Sequence, residues 1–388
     1  MTETDFILSE FDTSKTSNGS VTWKTPSNIA LVKYWGKQEP QIPENASISF
    51  TLDACFTLTT LEYKLKDECH LERSRKVILN SHNEMLKQVQ HDETGFNFEI
   101  FFEGEKKDDF KPKIQKFFER IEQYVPFLKD YNFVIKSRNS FPHSSGIASS
   151  ASGMSALALC IMSLEKEVTE RSRSEITADY FNKKASFLAR LGSGSACRSI
   201  EGELIVWGNH LKIEGSSNLF GVKFPFEIHK NFKNYHDTIL LVDEGEKQVS
   251  STVGHQLMYN HPFAQQRFQQ ANENLTKLSE VLQNGDLKQF IAIVESEALS
   301  LHAMMMTSNP YFILMKPNTL KIINRIWEFR AATNSAICFT LDAGANVHVL
   351  YPYNYKENVL QFIKNELVGY CQNGQYLCDQ IGNGAVMI

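Results

Sequence analysis

Residues 141–153 combine small, hydroxylated and glycine positions in a way that suits anion binding. The segment reads Phe-Pro-His-Ser-Ser-Gly-Ile-Ala-Ser-Ser-Ala-Ser-Gly and continues into apolar residues at helical spacing. It predicts a loop that enters a helix near Ser149, where unpaired N–H groups and the helix dipole attract a phosphate. The alternative is a tightly packed helix start, in which small residues let another helix approach. The candidate phosphate contacts are Ser144, Ser145, Gly146, Ser149, Ser150 and Ser152.

A lysine interrupts the apolar segment at 29–35. Ile29, Leu31, Lys33 and Trp35 alternate as they would on one face of a buried strand. A buried ammonium group needs a nearby anion to stay charged, so Lys33 is a candidate for chemistry with an anionic ligand. The alternative is that the strand ends earlier and Lys33 points to water.

A second group of small donors lies at 191–199 and reads Leu-Gly-Ser-Gly-Ser-Ala-Cys-Arg-Ser. Backbone and hydroxyl donors from Gly192 to Ser195 precede Arg198, whose guanidinium group can bind a carboxylate or phosphate in a bidentate way. The segment therefore suits a second anion. The alternative is a glycine-rich loop with a surface arginine.

An aspartate lies between two alternating strand patterns at 336–340 and 347–351. The intervening residues at 341–346 read Leu-Asp-Ala-Gly-Ala-Asn, a composition typical of a hairpin turn. The functional alternative places Asp342 at a strand end, facing a cleft between two domains.

Periodicity predicts the elements that position these groups. Helical spacing predicts helices at 109–125, from 149 onward, and at 177–190, 262–283, 286–305, 317–331 and 356–367. Strand patterns occur at 21–24, 29–35, 43–52, 55–63, 77–80, 132–136, 237–242, 336–340 and 347–351. Residues 209–221 are interpreted as a connecting loop and a domain boundary. This order of elements is typical of an α+β fold.

Two of these helices carry side chains that are interpreted as packing. The helix at 109–125 is amphipathic and is expected to face the core. Its apolar positions are Ile114, Phe117, Phe118, Ile121 and Val125. In the helix at 286–305, His302 and the methionines at 304–306 favour helix packing over a metal or cofactor site.

Composition limits the class of protein. A chain of 388 residues is long enough for two domains, and a net charge of −5 argues against a general nucleic-acid binder. Seven cysteines without metal-ligand spacing predict reduced thiols. The acidic N-terminus does not resemble a secretory signal, and the longest apolar run, at 156–162, is too short to span a bilayer. We expect a cytoplasmic protein that binds neither nucleic acid nor membrane.

The chain resembles mevalonate diphosphate decarboxylases, a branch of the GHMP small-molecule kinase superfamily. The most specific match is Asn-Ile-Ala-Leu-Val-Lys-Tyr-Trp-Gly-Lys at 28–37. Three departures from the family pattern stand out. Gly202 is followed by Glu203 instead of glycine, no arginine comes shortly after Gly254, and Ala345 replaces a proline. Further matching segments lie at 43–52, 141–153, 190–199, 247–254 and 340–346.

The resemblance implies a two-domain GHMP kinase-like α+β fold with the active site in the cleft between the domains. The expected domains are an ATP-binding N-terminal domain at 1–212, similar to ribosomal protein S5 domain 2, and a ferredoxin-like domain at 213–388. The resemblance also implies a homodimer.

The implied activity is the ATP-dependent decarboxylation of (R)-5-diphosphomevalonate to isopentenyl diphosphate, with release of ADP, phosphate and carbon dioxide. This reaction belongs to the mevalonate pathway of isoprenoid biosynthesis. The expected cofactors are ATP and Mg²⁺. The loop at 142–153, here called the serine loop, would hold the ATP phosphates. No side chain is assigned as a metal ligand.

The resemblance and the chemistry together assign the site residues. Asp342 would accept or orient the proton of the substrate hydroxyl, Lys33 would keep Asp342 ionised, and Arg198 would hold the substrate carboxylate. The substrate-binding candidates are Tyr34, Lys37, Ser193, Ser195 and Arg198.

Rival functions remain open to different degrees. A mevalonate-type kinase of the same fold would phosphorylate and stop, and the missing arginine leaves a phosphomevalonate decarboxylase possible. A GHMP-fold ligand sensor without catalysis would be expected to lose the aspartate or the serine loop, and this chain keeps both. A dinucleotide-binding dehydrogenase is excluded because its glycine fingerprint is absent.

Overall fold

The computed structural model describes residues 1–66, 95–142, 147–169, 176–243 and 251–388. The predicted strand at 77–80 lies outside these residues. The described chain forms two large β-sheets with helices packed against them and one small two-stranded sheet, as the prediction of an α+β fold requires.

The described helices lie within a few residues of their predicted positions, except for the helix at Ser251–Gln256, which was not predicted. They are α1 (Lys111–Ile121), α2 (Ser149–Val168), α3 (Ala178–Gly192), α4 (Ser251–Gln256), α5 (Ala264–Asn284), α6 (Leu287–Met306), α7 (Pro317–Thr333) and α8 (Lys356–Phe362). Local capping sets several ends. The Thr177 side chain accepts a hydrogen bond from the Tyr180 N–H at the start of α3, and Gly285 adopts φ 84° after α5.

Three strands run longer than their patterns predicted, namely Asn18–Val32, Ser47–Leu65 and Tyr131–Asn139, whereas the strands at His236–Leu240 and Cys338–Leu341 are shorter. The predicted strands at 21–24 and 29–35 are both part of β1 (Asn18–Val32), except that residues 33–35 lie beyond its end. The predicted strands at 43–52 and 55–63 fall largely within β4 (Ser47–Leu65). The strands are β1 (Asn18–Val32), β2 (Lys37–Gln38), β3 (Ile42–Pro43), β4 (Ser47–Leu65), β5 (Asn97–Phe102), β6 (Glu105–Lys106), β7 (Tyr131–Asn139), β8 (Leu204–Trp207), β9 (Val222–Lys223), β10 (His236–Leu240), β11 (Cys338–Leu341), β12 (Val347–Tyr351), β13 (Tyr376–Gln380) and β14 (Val386–Met387).

The larger sheet has the order β14-β1-β4-β7-β5-β6, and β8 joins it by pairing with β4 and β9. β1 and β4 form its long antiparallel centre, whereas β5 and β7 are parallel. β14 closes one edge, where Trp23 pairs with Met387 and Lys24 with Val386. β9 and β14 thus join this sheet although they follow residue 212, and the domain boundary at 212/213 stays a prediction.

The smaller sheet is fully antiparallel with the order β11-β12-β10-β13. β11 and β12 form the predicted hairpin around Asp342. Helix α6 packs against β11 of this sheet and also against β1 of the larger sheet. It therefore touches both halves of the molecule.

The apolar positions of α1 and α2 build the core beside the larger sheet. α2 packs on β1 and β4, and its Ala158 and Ile161 are fully buried. The predicted core positions of the first helical segment are all buried: Ile114, Phe117, Phe118, Ile121 and Val125.

The six described cysteines are free thiols, as predicted, and five of them are buried; Cys69 lies outside the described residues. In the ranges that the structure describes, no helix has the length and apolar character needed to cross a bilayer.

Candidate active site

A cavity of about 1060 Å³ lies where the end of β1, the serine loop, helix α1 and the β11–β12 turn come together. This volume is large enough for a nucleotide and a small substrate. Nine of the predicted site residues line it: Lys33, Tyr34, Lys37, Ser149, Ser150, Ser193, Ser195, Arg198 and Asp342.

The remaining predicted contacts differ from these nine. Ser144, Ser145 and Gly146 lie outside the described residues. Ser152 is fully buried beneath the helix start, where its hydroxyl hydrogen-bonds the Thr57 hydroxyl at 2.6 Å. Because Ser152 does not line the cavity, we assign it to packing and leave it out of the proposed nucleotide contacts.

The sequence left two interpretations of Lys33, a buried position in a strand and an exposed position beyond the strand end, and the structure agrees with each in part. β1 ends at Val32, so Lys33 is not in the strand, yet its side chain is only 1% exposed. Its Nζ atom has no hydrogen-bond partner among the described residues. Burial lowers the Lys33 pKa to about 8, against an opposing effect of the Asp342 and Glu297 carboxylates. The Lys33 ammonium group is therefore available to an anion in the cavity.

Asp342 directly follows β11 in a tight turn, which confirms the hairpin interpretation, and the position of its side chain at the cavity is compatible with the functional alternative. Its backbone carbonyl accepts hydrogen bonds from the Gly344 N–H at 2.7 Å and from His302 Nε2 at 3.1 Å. Its side chain lines the cavity and is the carboxylate that most strongly favours the charged form of Lys33. The turn thus presents a carboxylate beside a buried ammonium group.

Arg198 lies on a 3₁₀ turn (Gly194–Ser199) and is 3% exposed, so the interpretation as a surface arginine is wrong. Its Nη1 donates to Ser47 Oγ at 2.6 Å, and its Nε donates to Asn28 Oδ1 at 3.4 Å. The guanidinium carbon lies 5.8 Å from the centre of the Trp207 ring. These contacts fix the plane of a cation that faces the cavity.

Tyr34 and Lys37 supply donors on the same wall. The Tyr34 hydroxyl is buried and has no hydrogen-bond partner among the described residues, and burial raises the Tyr34 pKa. Lys37 Nζ donates to Gln41 Oε1 at 2.8 Å, and partial burial lowers the Lys37 pKa. Tyr34 therefore offers an uncharged donor, and Lys37 offers a cation.

Sequence reasoning missed the polar face of α1. Lys113, Lys116 and Arg120 line the cavity, together with Phe117 from the apolar face of this helix. Lys113 Nζ also donates to the Ser150 hydroxyl at 2.9 Å. Spacings of three and four residues place these cations on one helical face. The sequence therefore contains the signal for a cationic face, but this segment was interpreted only through its apolar positions.

Asn28 and His255 are two further lining residues that received no role from the sequence. Asn28 links Arg198 to the Ser199 hydroxyl, to which it donates at 2.8 Å. His255 Nδ1 accepts the Gly36 N–H at 3.0 Å, which leaves the proton of the neutral ring on Nε2. Burial lowers the His255 pKa to about 3, so this ring is an uncharged donor at neutral pH.

The cavity is rich in cations although the protein carries a net charge of −5. Among the described residues that line it, seven are lysine or arginine and five are aspartate or glutamate. The described residues contain no cluster of three or more His, Cys, Asp or Glu side chains that could hold a metal ion. Such a site suits a polyanion that brings its own metal, since Mg²⁺ is often bound mainly through substrate phosphates.

A second, largely apolar cavity of about 180 Å³ adjoins the start of α2. It shares Phe110, Lys113 and Ser149 with the larger cavity. Met154 and Leu157 are among its apolar lining residues. A flat apolar group attached to a phosphate chain could therefore enter it while the phosphates stay in the larger cavity.

Two family models match the chain. The model of the diphosphomevalonate decarboxylase-like N-terminal domain matches residues 25–218, and that of the mevalonate 5-diphosphate decarboxylase C-terminal domain matches residues 238–383. The chain belongs to the diphosphomevalonate decarboxylase family. The resemblance seen in the sequence motifs is thereby confirmed.

Individual members of the family agree with this assignment. A diphosphomevalonate decarboxylase from Ganoderma lucidum is 28% identical over 88% of this chain and 80% of its own length. The structure of mevalonate diphosphate decarboxylase from Staphylococcus aureus matches with a TM-score of 0.74 at 26% identity, covering 96% of this chain and 98% of that one. A structure described as MDDEF in complex with MVAPP, AMPPCP and magnesium matches with a TM-score of 0.75 at 26% identity, covering 96% and 99%. The predicted two-domain GHMP kinase-like fold is confirmed.

In this member of the diphosphomevalonate decarboxylase family, we expect Gly194→Ala to damage the wall that holds Tyr34. A Cβ atom at this position would lie 2.8 Å from the Trp207 ring and 2.9 Å from the Tyr34 hydroxyl. Overpacking of this kind lowers the free energy of unfolding by about 1–3 kcal/mol. Chemical denaturation of the variant measures the loss.

The matched control is Gly369→Ala, where an added Cβ meets no atom within 4 Å. We expect this control to change the free energy of unfolding by less than about 0.5 kcal/mol. Equal stability of the two variants would contradict the close packing described at Gly194.

Proposed function

We propose that this protein catalyses the ATP-dependent decarboxylation of (R)-5-diphosphomevalonate to isopentenyl diphosphate, releasing ADP, phosphate and carbon dioxide. The observation that carries the proposal is the meeting of Asp342, Lys33 and Arg198 in one cation-rich cavity of a chain from this family. A carboxylate, an ammonium group and a fixed guanidinium group are the side chains that the two chemical steps need.

The first step is phosphorylation of the tertiary hydroxyl group of the substrate. The hydroxyl oxygen forms a bond to the γ-phosphorus as the bond to the β,γ-bridging oxygen breaks and ADP leaves. Asp342 accepts or orients the hydroxyl proton, and Lys33 favours the ionised form of Asp342 and neutralises charge on the transferred group. The buried position of Lys33 strengthens both effects because little water screens it.

The second step couples two bond cleavages. The carbon–oxygen bond to the new phosphate breaks, and phosphate leaves with that electron pair. The bond to the carboxylate breaks as well, and its electron pair forms the double bond of isopentenyl diphosphate as carbon dioxide leaves. Arg198 holds the carboxylate so that the two breaking bonds are antiperiplanar, a task that its hydrogen bonds to Ser47 and Asn28 support.

The start of α2 would receive the ATP phosphates. Ser149 and Ser150 line the cavity beside Lys113, and they are the described hydroxyl groups that could also reach Mg²⁺ bound to the phosphates. Mg²⁺ would neutralise phosphate charge there. The adjoining apolar cavity would take the adenine ring. The MDDEF structure, which holds AMPPCP and magnesium, supports the binding of ATP and Mg²⁺ but does not specify these contacts.

The substrate diphosphate would lie on the opposite wall. Lys37 and the Tyr34 hydroxyl are candidate donors there, together with Ser193 and Ser195 at the end of α3. His255 adds an uncharged N–H donor from α4. This wall therefore combines one cation with several neutral donors.

The deciding experiment supplies the protein with ATP, Mg²⁺ and one of three acids: 5-diphosphomevalonate, 5-phosphomevalonate or mevalonate. ADP and carbon dioxide are measured together. We expect equal amounts of both products from the diphosphate alone. ADP without carbon dioxide would mean a kinase and would overturn the role of Arg198.

A phosphomevalonate decarboxylase is the second candidate, and His255 favours it. This ring follows Gly254, after which the family commonly has an arginine, and it is neutral at physiological pH because burial lowers its pKa to about 3. One fewer cation suits one fewer phosphate. Carbon dioxide released chiefly from the monophosphate would select this function.

We also propose that the protein acts in the cytoplasm and forms a homodimer. Its reduced cysteines support the first statement, and the family resemblance supports the second. Sedimentation of the purified chain would measure the oligomeric state, and a monomer would refute the dimer.

The Lys33 pKa of about 8 predicts the alkaline limb of the pH profile. The mechanism requires the charged ammonium group, so kcat/KM is expected to fall as pH rises through about 8, approaching a tenfold loss per pH unit. Steady-state kinetics between about pH 6 and pH 10 measures this limb. In Lys33→Arg the same limb should disappear, since a guanidinium group does not lose its proton in this range. A profile shared by both proteins would contradict this assignment.

A further inference from the structure

Helix α6 hydrogen-bonds the backbone of both residues of the Lys33–Asp342 pair. Glu297 Oε2 accepts the Lys33 N–H at 2.8 Å, and His302 Nε2 lies 3.1 Å from the Asp342 carbonyl oxygen. Both side chains come from one helix, although Lys33 follows a strand of the larger sheet and Asp342 follows a strand of the smaller one.

Glu297 is itself held rigidly. It is fully buried, and Arg267 from α5 donates to both of its carboxylate oxygens, to Oε1 at 3.0 Å. Asn274 Nδ2, also from α5, donates to Oε1 at 2.7 Å. A carboxylate with this many fixed donors has little freedom, so the Lys33 backbone that it binds is fixed as well.

His302 is 1% exposed, and burial lowers its pKa to about 4, so the ring is neutral at physiological pH. A carbonyl oxygen can only accept a hydrogen bond, which places the ring proton on Nε2. His302 therefore donates to the Asp342 carbonyl and fixes the turn that carries the carboxylate.

We propose that Glu297 and His302 are positioning residues, and that α6 sets the distance between the Lys33 ammonium group and the Asp342 carboxylate. Neither side chain lines the cavity, so they act through the two residues whose backbone they bind. This inference rests on the proposed function in one respect: it takes Lys33 and Asp342 as the reacting pair.

The charges around Lys33 agree with this arrangement. Asp342, Glu297 and Asp237 favour the charged ammonium group, and burial and Arg198 oppose it. Loss of the Glu297 charge would remove one of the carboxylates that favour the charged ammonium group of Lys33. Glu297→Gln should therefore lower the Lys33 pKa.

The first test does not depend on the substrate. NMR titration of the intact protein with ¹³Cε-labelled lysine follows the Lys33 ammonium group, with Lys33→Arg identifying its resonance. We expect Glu297→Gln to move the Lys33 midpoint down by about one pH unit. An unchanged midpoint would overturn the electrostatic part of the proposal.

The matched control is Glu295→Gln on the same helix. Glu295 is also buried and paired, accepting from Arg330 Nη1 at 2.6 Å and from Trp327 Nε1 at 2.9 Å. This change breaks a comparable ion pair that does not contact the Lys33 backbone, so the Lys33 midpoint should stay within about 0.3 pH units. An equal shift in both variants would mean a general loss of structure and would overturn the proposal.

The second test measures geometry through kinetics. We expect Glu297→Asp, which keeps the charge but withdraws the carboxylate from the Lys33 N–H, to lower kcat at least about tenfold with little change in the KM for ATP. Glu297→Asp also keeps the role of Glu297 testable if the Glu297→Gln variant does not fold. Equal kcat in Glu297→Asp and wild type would overturn the positioning role of Glu297.

Rescue by a conservative variant tests His302. Gln at position 302 can present an N–H close to the place of Nε2, whereas Leu cannot. We expect His302→Gln to keep kcat within about threefold of wild type and His302→Leu to lose about thirtyfold, at equal folded fractions by circular dichroism. Equal loss in both variants would overturn the positioning role of His302.

The proposed function and the positioning role of Glu297 can be refuted independently of each other. If wild-type protein releases neither ADP nor carbon dioxide with any of the three acids, the proposed function fails, and the NMR titration still decides whether Glu297 controls Lys33. If wild type is active and Glu297→Gln leaves the Lys33 midpoint unchanged, the function stands and the inference fails.

Discussion

Replacing Asp342 with asparagine is expected to lower turnover by about 10²–10⁴-fold, the range that a positioned proton acceptor contributes. Asparagine has nearly the same shape, and the contacts that hold the turn involve the Asp342 carbonyl, which the change retains. The loss should therefore appear in kcat while the fold stays intact. Release of ADP and carbon dioxide under saturating substrate measures it.

An aspartate-to-asparagine substitution at an exposed position provides the control. Asp53→Asn removes one exposed carboxylate that does not line the cavity and should leave kcat unchanged. Thermal unfolding of both variants shows whether any loss comes from instability. Full turnover by Asp342→Asn would refute the role of this residue in the first step.

Arg198→Lys is expected to separate the two chemical steps. Lysine keeps the positive charge but cannot keep the hydrogen bonds of a planar guanidinium group to both Ser47 and Asn28. Phosphorylation should continue at a reduced rate, whereas carbon dioxide release should fall by at least about 100-fold, because misplaced reacting groups lose this much. ADP in excess of carbon dioxide is the expected signature.

Arg190→Lys is the matched control. Arg190 is also fully buried, and it donates to the carbonyl oxygens of Leu219 and Pro40 without lining the cavity. This variant should be less stable than wild type but should release ADP and carbon dioxide in equal amounts. Unequal products from Arg190→Lys, or equal products from Arg198→Lys, would count against the assignment.

Local sequence was sufficient to predict the elements whose signal lies within one segment. The periodicity of Ile114, Phe117 and Phe118 predicted α1, and the Asp-Ala-Gly sequence after Leu341 predicted a hairpin turn. Nine of the candidate residues that the motifs supplied line the cavity, because each motif carries its own donors.

Contacts between distant segments were not predictable in this way. Lys33 lies beyond the end of β1, and its backbone N–H binds Glu297 on a helix that follows more than two hundred residues later. The sequence near Lys33 carries no signal for this contact. Ser152 illustrates the same limit, because its small side chain suits a phosphate loop and a tight helix contact equally well. Only the position of Thr57 decides between them.

The pairing of β14 with β1 has a consequence for how the chain folds during synthesis. Met387 leaves the ribosome hundreds of residues after its strand partner Trp23. This edge of the larger sheet must therefore remain open until residues 386–387 have been synthesised, and its closure is a contact of very high sequence separation. Exposed strand edges promote aggregation of nascent chains. A nascent chain stalled before residue 386 would thus leave Trp23 and Lys24 of β1 without their partners in β14 and would expose this edge to pairing with other chains.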